Sequence, residues 1–369
     1  MYNLSLMKCK LVSGGRVRLA RSRGDPVYDV FTKDQNNNNE APNDDRGLRY
    51  VKCLEDFIYS TEKLGMEGIV KQYRKLDRLS DPTMSFEAFK DNMHKNRYSD
   101  VFCKDSTRVK IQLDSMAQGD YIHANYVTGT CLANRFICTQ GPLPGTVEDF
   151  WRMVYQERAT TILMLCRPYE DCRPKCTTYW PDLGTENRLS CLSIKNINES
   201  SADGKLFEII DLMIDYIENP NMPEQDQPAN KKSLMVKLIK WPNWPDRGVP
   251  DEKCHTVPQR LLAMVRQPNQ TCVVHCSAGI GRTGCMVALE FAYRKFSRGE
   301  PVVMEKIVEE IRRQRAHCVQ TEVQYLYIHR VLVAFAGKEA GISEKAKETA
   351  EHFIGAYDNY MQQRNSGKR

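Results

Sequence analysis

The amino-acid sequence predicts an α/β protein in which a central β-sheet is covered by helices. Short apolar runs typical of strands occupy the middle of the chain, and amphipathic helical patterns occupy its last third. The composition, 41% hydrophobic and 27% charged over 369 residues, is that of a globular chain. No apolar run approaches the ~18 residues that cross a bilayer, so we expect no membrane span.

The predicted strands are apolar runs at 136–139, 160–166, 206–210, 235–239 and 271–274. A pattern resembling a capping box at Thr146 predicts a helix between the first two, with Phe150, Met153 and Val154 on its apolar face. Further helices are predicted at 257–267, 281–296, 303–313, 323–335 and 343–362. Strands followed by helices are typical of a sheet with helices on its faces.

Residues 1–50 are predicted to form a disordered leader, because they lack periodicity and include a polar run at 35–40. The leader also explains the net charge of +6, since six basic residues precede the first acid, Asp25. The remaining 47 basic residues balance 47 acidic ones. We therefore predict no nucleic-acid-binding surface, and we interpret the basic segment as a solvated tail.

Fourteen cysteines are present, and their surroundings favour reduced thiols over disulfides. Cys138, Cys166 and Cys272 lie within strand-like apolar runs, where a thiol packs as a small hydrophobic group. A chain of this length needs no disulfides for stability, and no cysteine pair has the Cys-x-x-Cys spacing of a zinc site. These features predict a cytoplasmic protein, with the nucleus as the alternative compartment, and no bound metal.

The segment 273–284 combines features that bind phosphate and activate a thiol. A β-branched run ends at His275 and Cys276, five mostly small residues follow, and Arg282 opens a helix. Small residues allow backbone N–H groups to form an anion nest, and the helix N-terminus adds positive charge. The guanidinium of Arg282 matches two phosphate oxygens, and the same field favours a nucleophilic thiolate at Cys276. The alternative is a strand-to-helix turn around a buried cysteine, which His275 and the glycines disfavour.

The segment resembles the signature loop of the cysteine-dependent, tyrosine-specific protein phosphatases, His-Cys-x5-Arg-Ser/Thr, from His275 to Thr283. Other motifs of that family follow in family order: the acid loop Trp244-Pro245-Asp246 and the substrate loop Lys95-Asn96-Arg97-Tyr98. Its scaffold motifs are matched by Asp120-Tyr121-Ile122, Thr139-Gln140-Gly141-Pro142, Glu148-Asp149-Phe150-Trp151, Lys175-Cys176, Tyr179-Trp180-Pro181 and Gln320-Thr321 with Gln324. The resemblance implies the family's fold, a twisted mixed β-sheet flanked by α-helices, in a non-receptor type protein with one catalytic domain.

The resemblance also implies hydrolysis of phosphotyrosine through a phosphocysteine intermediate. Cys276 would attack phosphorus, while Arg282 and the loop amides hold the equatorial oxygens. Asp246, carried in by closure of its loop, would protonate the departing tyrosine oxygen and later take a proton from water. Gln320 would position that water, with Gln324 as its support. The amides belong to Ser277, Ala278, Gly279, Ile280, Gly281 and Arg282.

Other residues are assigned by the resemblance to substrate binding or to support. Tyr98 would flank the substrate ring, and Asp100 would accept hydrogen bonds from the substrate backbone. Lys175 would pair with Asp246 or with Glu170. Three further residues would support the loops. His275 would hold the signature loop by hydrogen bonds, and the hydroxyl of Thr283 would reach the sulfur of Cys276. Trp244 would support the acid loop. No metal or other cofactor is implied, because the arginine and the amides supply the positive field.

Two positions depart from the family pattern. Arg247 follows Asp246, where the family usually has an aromatic residue or histidine, and a charged side chain covers a substrate ring poorly. The loop between Glu170 and Lys175 usually contains a glycine and reads Asp171-Cys172-Arg173-Pro174 here. We expect the first departure to alter lid closure or specificity and the second to alter loop mobility. Neither removes a catalytic atom.

The leading interpretation is an active phosphatase, with residues 51–337 as the catalytic domain and phosphotyrosine-containing proteins as partners. The alternative is a catalytically weak or dead phosphotyrosine-binding module, which would normally lack Cys276, Arg282 or Asp246. A phosphoinositide phosphatase would tend to have lysines in the signature loop, and a dual-specificity enzyme would lack the loop 96–98. Residues 338–369 are predicted to form a helical tail that packs on the domain or binds a partner through Ala346, Ala350, Phe353, Ile354 and Tyr357.

Overall fold

The computed structural model describes residues 44–77, 84–113, 119–202, 206–217, 232–251 and 254–366. The predicted leader lies outside the described residues as far as residue 43. Helix α1, Asp44–Asp77, begins inside the segment that the sequence assigns to this leader, so the predicted boundary at residue 50 is wrong. Gly47, Leu48 and Arg49 are exposed, so these three residues bury no apolar face that periodicity could reveal. The helix is kinked at Gly65, whose φ is 59°.

The strands of the described residues are short, and most are part of one sheet. In chain order they are β1 Arg108–Lys110, β2 Tyr121–Val127, β3 Arg135–Thr139, β4 Ala159–Met164, β5 Tyr169–Glu170, β6 Arg173–Pro174, β7 Glu186–Arg188, β8 Leu192–Ala202, β9 Phe207–Tyr216, β10 Ser233–Lys240 and β11 Thr271–His275. The remaining helices are α2 Glu87–Asp91, α3 Val147–Gln156, α4 Val257–Val265, α5 Gly281–Ser297, α6 Met304–Gln314, α7 Glu322–Ala336 and α8 Glu344–Ser366.

The described strands form a nine-stranded sheet in the order β1-β2-β3-β11-β4-β10-β9-β8-β7, beside a separate hairpin of β5 and β6. Its centre is parallel, because β11 pairs in parallel with β3 and β4, and β4 with β10. The outer pairs are antiparallel. The predicted fold class, a mixed sheet flanked by helices, is confirmed.

The core is built around β11 and the helix that follows it. All five residues of β11 are buried, and nearly every residue of α5 is buried as well. Such a strand and helix read as continuous apolar runs because both faces are covered. The catalytic segment predicted from the sequence lies between these two elements, so it is anchored at both ends in the interior of the protein.

Helix α8 packs against α1 and α7. The stripe that we considered for a partner is occupied by these helices: Ala346, Ala350, Phe353 and Tyr357 are buried, and Ile354 is half-buried. Apolar burial of this kind explains why the helix docks on its own chain. Of the two alternatives that the sequence leaves open for this helix, the structure shows packing on the domain. Within the described ranges, no helix is long and apolar enough to cross a membrane.

Candidate active site

The four parallel strands at the centre of the sheet bring four loops together. The carboxyl ends of β3, β11, β4 and β10 lie at one edge, which is where open α/β sheets bind their ligands. The segments that leave this edge are 140–142, 276–280, 165–175 and 241–250. Every one of them contains a motif quoted above, so residues far apart in the sequence meet at a single cavity.

The cavity has a volume of about 640 Å³ and contains most of the predicted site residues. Those that line it are Tyr98, Asp100, Lys175, Asp246, Cys276, Ser277, Ala278, Gly281, Arg282, Gln320 and Gln324. The predicted residues that do not line it lie behind it or beside it: Gly279, Ile280, His275, Thr283, Trp244 and Glu170. Arg173 and Arg247, which lie at the two departures from the family pattern, line it as well.

The loop that follows β11 curls around the Cys276 sulfur. The Gly279 N–H donates a hydrogen bond to Cys276 Sγ at 3.3 Å, and α5 begins at Gly281. Gly279 has a φ of 70°, and a Cβ at this position would lie 2.0 Å from the Thr139 carbonyl oxygen. Only glycine combines this left-handed backbone with so close an approach to β3. The loop therefore depends on the absence of a side chain at residue 279.

Buried scaffold groups hold the carbonyls of this loop. Arg315 is fully buried, and its guanidinium donates to the carbonyl oxygens of Ala278 (3.0 Å) and Gly279 (3.2 Å). Its third contact is the Asn125 side-chain oxygen at 2.8 Å. Arg315 is thus the strut on which the outer side of the loop rests.

Two further carbonyls of the loop accept hydrogen bonds from the scaffold. The Gly141 N–H donates to Ser277 O at 2.9 Å, and the Val319 N–H donates to Ile280 O at 3.0 Å. In a trans peptide the N–H points opposite to the C=O of the same unit. Because the carbonyls of residues 277–280 face the scaffold, the N–H groups of 278–281 face the inside of the loop. This arrangement is an anion nest above Cys276.

Arg282 is held beside the nest by a bidentate ion pair. Its two terminal nitrogens donate to the two carboxylate oxygens of Glu170 at 2.6 and 2.9 Å, and one also donates to Trp244 O at 2.8 Å. Burial favours the neutral guanidine, but the Glu170 hydrogen bond and the electrostatic interaction with Cys276 outweigh burial and raise the pKa of Arg282. The side chain is therefore a fixed positive charge.

Asp246 reaches the same arginine from the acid loop. Lys175 Nζ lies 2.6 Å from Asp246 Oδ2, and Arg282 Nη2 lies 3.3 Å from Asp246 Oδ1. Of the two partners considered for Lys175, Asp246 is the one it contacts, while Glu170 binds Arg282. Burial raises the pKa of Asp246, but the Lys175 hydrogen bond and the Arg282 charge outweigh it, and the net pKa is lowered. Arg247 does not keep the loop out of the site in this structure.

Tyr98 forms one wall of the cavity and is tied to the loop. Its hydroxyl lies 2.8 Å from Ser277 Oγ, and Ser277 Oγ donates to Lys175 O at 3.0 Å. The preceding residue, Arg97, anchors this wall by donating to the carbonyl oxygens of Gly141 (2.9 Å) and Pro142 (2.7 Å). Asp100, two residues beyond Tyr98, is exposed on the rim.

The two glutamines lie side by side against the start of α5. The Gln320 N–H donates to Gln324 Oε1 at 3.0 Å. A Cβ at Gly281 would lie 3.0 Å from Gln320 Oε1 and from Gln324 Nε2, so both side chains reach the loop. Gln324 Nε2 is buried and has no hydrogen-bond partner in the described part of the chain. The Gln324 side-chain amide beside the nest can therefore donate a hydrogen bond to a group bound there.

His275 and Thr283 lie on the buried side of the loop. His275 Nε2 is 2.8 Å from the Tyr179 hydroxyl, and Nδ1 is 3.2 Å from Cys276 O. The hydroxyl of Thr283 is buried and has no hydrogen-bond partner among the described residues. The predicted contact of Thr283 with the sulfur is therefore not present here. Trp244 is buried behind the acid loop, packed edge-on against Tyr327.

Other thiols near the site differ from Cys276 in their surroundings. Burial raises the pKa of Cys138, Cys272 and Cys285, so these thiols stay protonated near neutral pH. In the described residues, no backbone N–H group donates a hydrogen bond to the sulfur of any of these three cysteines. Cys276 thus stands out by the Gly279 N–H that donates to its sulfur and by its place on the cavity wall.

Sequence reasoning missed three residues that shape the site. Arg315 lies in a stretch with two other arginines, so nothing in the sequence distinguishes it. The sequence identifies Arg97 and Tyr179 only as parts of motifs, yet Arg97 anchors the Tyr98 wall and Tyr179 contacts His275. The available signal was their place in these motifs, since a buried polar side chain in a recurring motif normally has a hydrogen-bonding task.

Comparison with known proteins gives matches over the residues that form the cavity. The family model described as protein-tyrosine phosphatase matches residues 92–334. Human receptor-type tyrosine-protein phosphatase F is 34% identical over 295 residues, which cover 77% of this chain and 14% of that protein. Tyrosine-protein phosphatase 1 of Caenorhabditis elegans is 34% identical over 296 residues, covering 78% of this chain and 27% of that protein. The match thus spans about a seventh to a quarter of these curated relatives.

Solved structures give a similar result. PTPN18 in complex with HER2 phosphopeptides superposes with a TM-score of 0.66 and 27% identity, covering 76% of this chain and 97% of that chain. The catalytic domain of human protein tyrosine phosphatase non-receptor type 18 gives a TM-score of 0.64 and 29% identity, covering 73% and 96%. Family model, relatives and structures agree over the segment that forms the cavity. The chain belongs to the protein-tyrosine phosphatase family.

Proposed function

We propose that this domain hydrolyses phosphotyrosine in proteins through a phosphocysteine intermediate. The observation that carries the proposal is that Cys276, Arg282 and Asp246 line one cavity. Beneath them, the loop carbonyls are tied to the scaffold and the N–H groups point inward. A thiol nucleophile, a phosphate-binding nest and a carboxyl donor are the three groups that the reaction needs.

In the first step, Cys276 Sγ attacks phosphorus. The S–P bond forms as the bond from phosphorus to the tyrosine oxygen breaks, and Asp246 gives its proton to that oxygen. The equatorial oxygens rest on the N–H groups of residues 278–281 and on Arg282. In the second step, a water held by Gln320 attacks phosphorus, Asp246 takes a proton from it, and the S–P bond breaks to release phosphate.

The contacts of Asp246 with Lys175 and Arg282 require that its protonation change when substrate binds. With Lys175 and Arg282 beside it, the lowered pKa keeps this carboxyl ionised, whereas a proton donor has to be protonated. A phosphate dianion bound in the nest partly neutralises the positive charge of Arg282. It also places negative charge near the Asp246 carboxylate. Like charges raise the pKa of a carboxyl group, so substrate binding itself prepares Asp246 to hold its proton.

The proposed substrates are phosphotyrosine-containing proteins, and the proposed compartment is the cytoplasm. The solved complex of PTPN18 with HER2 phosphopeptides supports the substrate class, because its catalytic domain shares the fold and the family of this chain. The proposed catalytic domain runs from α1 to the end of α7, within the predicted 51–337 apart from its first turns, with α8 docked on it. A non-receptor arrangement remains part of the proposal.

Kinetics and phosphopeptide binding of the parent and four variants test the proposal: Cys276→Ser, Asp246→Ala, Arg282→Ala and a control. We expect the parent to hydrolyse a phosphotyrosine peptide, Cys276→Ser to lose turnover, and Asp246→Ala to lose roughly 10²–10⁴-fold in kcat. Asp246→Ala should keep the peptide Kd, since Arg282 and the amides bind phosphate without it. The matched control is Asp182→Ala, which removes an exposed acid remote from the cavity and should leave kcat unchanged.

The same measurements separate an enzyme from a binding module. A parent that binds the phosphopeptide but releases no phosphate would establish the weak or dead module instead. An unchanged kcat in Asp246→Ala would reject this carboxyl as the proton donor while leaving the rest of the site intact. Loss of binding in Arg282→Ala, with binding kept in Cys276→Ser, is the result expected for the proposed phosphate site.

A further inference from the structure

We propose that Arg173 and Arg247 form an anion subsite at the rim of the cavity, and that it selects phosphotyrosine peptides with acidic residues next to the phosphotyrosine. This inference rests on the proposed function and specifies its substrate class. Both side chains are exposed and both line the cavity. Neither makes an ion pair or a side-chain hydrogen bond with any residue that the structure describes.

The backbone of Arg247 is fixed by its neighbours. Its φ is 55°, a left-handed conformation that is uncommon for a residue with a side chain. Its carbonyl oxygen accepts a hydrogen bond from Thr321 Oγ1 at 3.2 Å. On either side, Trp244 Nε1 donates to Gly248 O at 3.0 Å, and the Gly248 N–H donates to Pro245 O at 3.2 Å. The arginine is therefore presented from a defined turn next to the proposed proton donor.

Arg173 is presented from the hairpin of β5 and β6. The hairpin turns through Asp171 and Cys172, both with positive φ (49° and 56°), as in the tightest two-residue turns. Arg173 pairs across the hairpin with Glu170, whose carboxylate binds Arg282 through both oxygens. The position of Arg173 is thus linked through one strand pair to the guanidinium that binds the phosphate.

The acids around the cavity form no ion pair with Arg173 or Arg247 within the described residues. Arg282 is neutralised by Glu170, and Lys175 by Asp246. The remaining acids of the rim, Asp100 and Asp171, form no ion pair in the described residues, and they disfavour an acidic side chain at their own positions. The preference should therefore depend on where the acid lies relative to the phosphotyrosine.

The chemistry of the two side chains fits a carboxylate. A guanidinium binds both oxygens of a carboxylate in one plane, and no group has to be expelled from either arginine first. Exposed ion pairs contribute ~0.2–1 kcal/mol each, so two of them together give roughly a 2- to 30-fold gain in affinity. Because the pairs are exposed, added salt should reduce this gain.

The test compares two synthetic phosphotyrosine peptides, one with alanines and one with glutamates at the two positions on each side. It uses the parent, the double variant Arg173→Gln/Arg247→Gln, and Arg188→Gln, which removes an exposed arginine on the remote strand β7. We measure kcat/KM in each background, and peptide Kd with Cys276→Ser added to each. Single glutamates scanned along the alanine peptide locate the preferred position.

We expect the parent and Arg188→Gln to prefer the acidic peptide by roughly 2- to 30-fold in both measurements. The double variant should show equal values for the two peptides, and 0.5 M salt should abolish the parent's preference. Equal values in the parent, or an undiminished preference in the double variant, would overturn the subsite. If the parent shows no turnover of either peptide while the Kd ratio still falls in the double variant, the proposed function fails and the subsite stands.

Discussion

The catalytic loop, residues 276–282, and the acid loop, residues 244–247, meet at one cavity but are held there by different kinds of contact. Backbone carbonyls of the catalytic loop are bound by buried groups, Arg315 among them, that face away from the cavity. The end of the acid loop is held by side chains that face into it, through the contacts of Asp246 with Lys175 and Arg282.

These two kinds of contact suit two tasks: the catalytic loop binds the phosphate, and the acid loop transfers a proton. Dipoles that are fixed before the substrate arrives need no reorganisation during the reaction, and this favours a rigid cradle for phosphate. A proton donor has to change its charge within each turnover, so its contacts must be ones that a substrate can alter. We therefore expect substitutions behind the catalytic loop to damage the cradle, and substitutions beside the acid loop to shift pH dependence and affinity.

Gly279→Ala should have the largest effect, since it places a Cβ 2.0 Å from the Thr139 carbonyl oxygen. The loop has to move to relieve this overlap, and a displaced N–H donor reduces kcat by about 10²–10³-fold. Phosphopeptide kinetics and thermal unfolding check the result. Gly145→Ala is the matched control, because a Cβ there has no neighbour within 4 Å. Parental kcat in Gly279→Ala would show that the cradle is not rigid.

Arg315→Ala should weaken the cradle from behind. It leaves the buried oxygens of Ala278, Gly279 and Asn125 without their donor, which should lower the free energy of unfolding by about 3 kcal/mol or more. We expect kcat to fall by roughly 10-fold, less than for Gly279→Ala, because the loop can partly keep its shape. Arg313→Ala removes a nearby but exposed arginine and should change neither quantity. Equal stability of the two variants would contradict the role of Arg315 as a strut.

Apolar patterns in the sequence predict some elements of this fold and miss others. The central strands, the helices around them and the fold class follow from apolar periodicity, because burial imposes that pattern on the sequence. Strand β2 escapes detection because buried His123 and Asn125 interrupt its apolar run, each bonded to a backbone carbonyl. Strand β8 escapes because residues 198–201 are exposed and polar.

The candidate site shows the same division. Cys276, Arg282 and Asp246 belong to motifs whose local chemistry can be read from the sequence, and the structure brings them to one cavity. Arg315 cannot be found in this way, since a buried arginine differs from an exposed one only in its three-dimensional surroundings. The Arg282 pair with Glu170 joins positions 112 residues apart, and the sequence alone leaves Asp246 and Glu170 as alternative partners of Lys175.

Lys175→Met should change the pH dependence of the reaction. Its ammonium donates a hydrogen bond to Asp246 and helps lower the pKa of that carboxyl, so its removal raises the pKa. The donor has to be protonated, and the alkaline limb of kcat/KM follows the pKa of the donor in the free enzyme. We therefore expect this limb to move to higher pH in Lys175→Met.

The control for this shift is Lys237→Met, which removes a lysine from an ion pair with Asp211 on the outer part of the sheet. Its pH profile should match that of the parent. An alkaline limb that stays in place in Lys175→Met, or moves to lower pH, would show that Asp246 is not the group whose protonation limits the reaction.

Tyr98→Phe should have the smallest effect, because it keeps the ring that lines the cavity and removes only the hydroxyl near Ser277 Oγ at 2.8 Å. Ser277 retains its hydrogen bond to Lys175 O, so the loop loses one of two contacts at this point. A hydrogen bond of this kind contributes ~0.5–1.5 kcal/mol, which corresponds to a rise in KM of roughly 2- to 10-fold. We expect kcat to change little, since the lost contact positions the substrate wall and touches no reacting atom.

The control is Tyr169→Phe, which removes the hydroxyl of an exposed tyrosine on the neighbouring hairpin and should leave KM unchanged. If Tyr98→Phe instead lowered kcat as strongly as Arg315→Ala, the Tyr98 wall would have to be counted as part of the rigid cradle, and the division between the two loops would need to be redrawn.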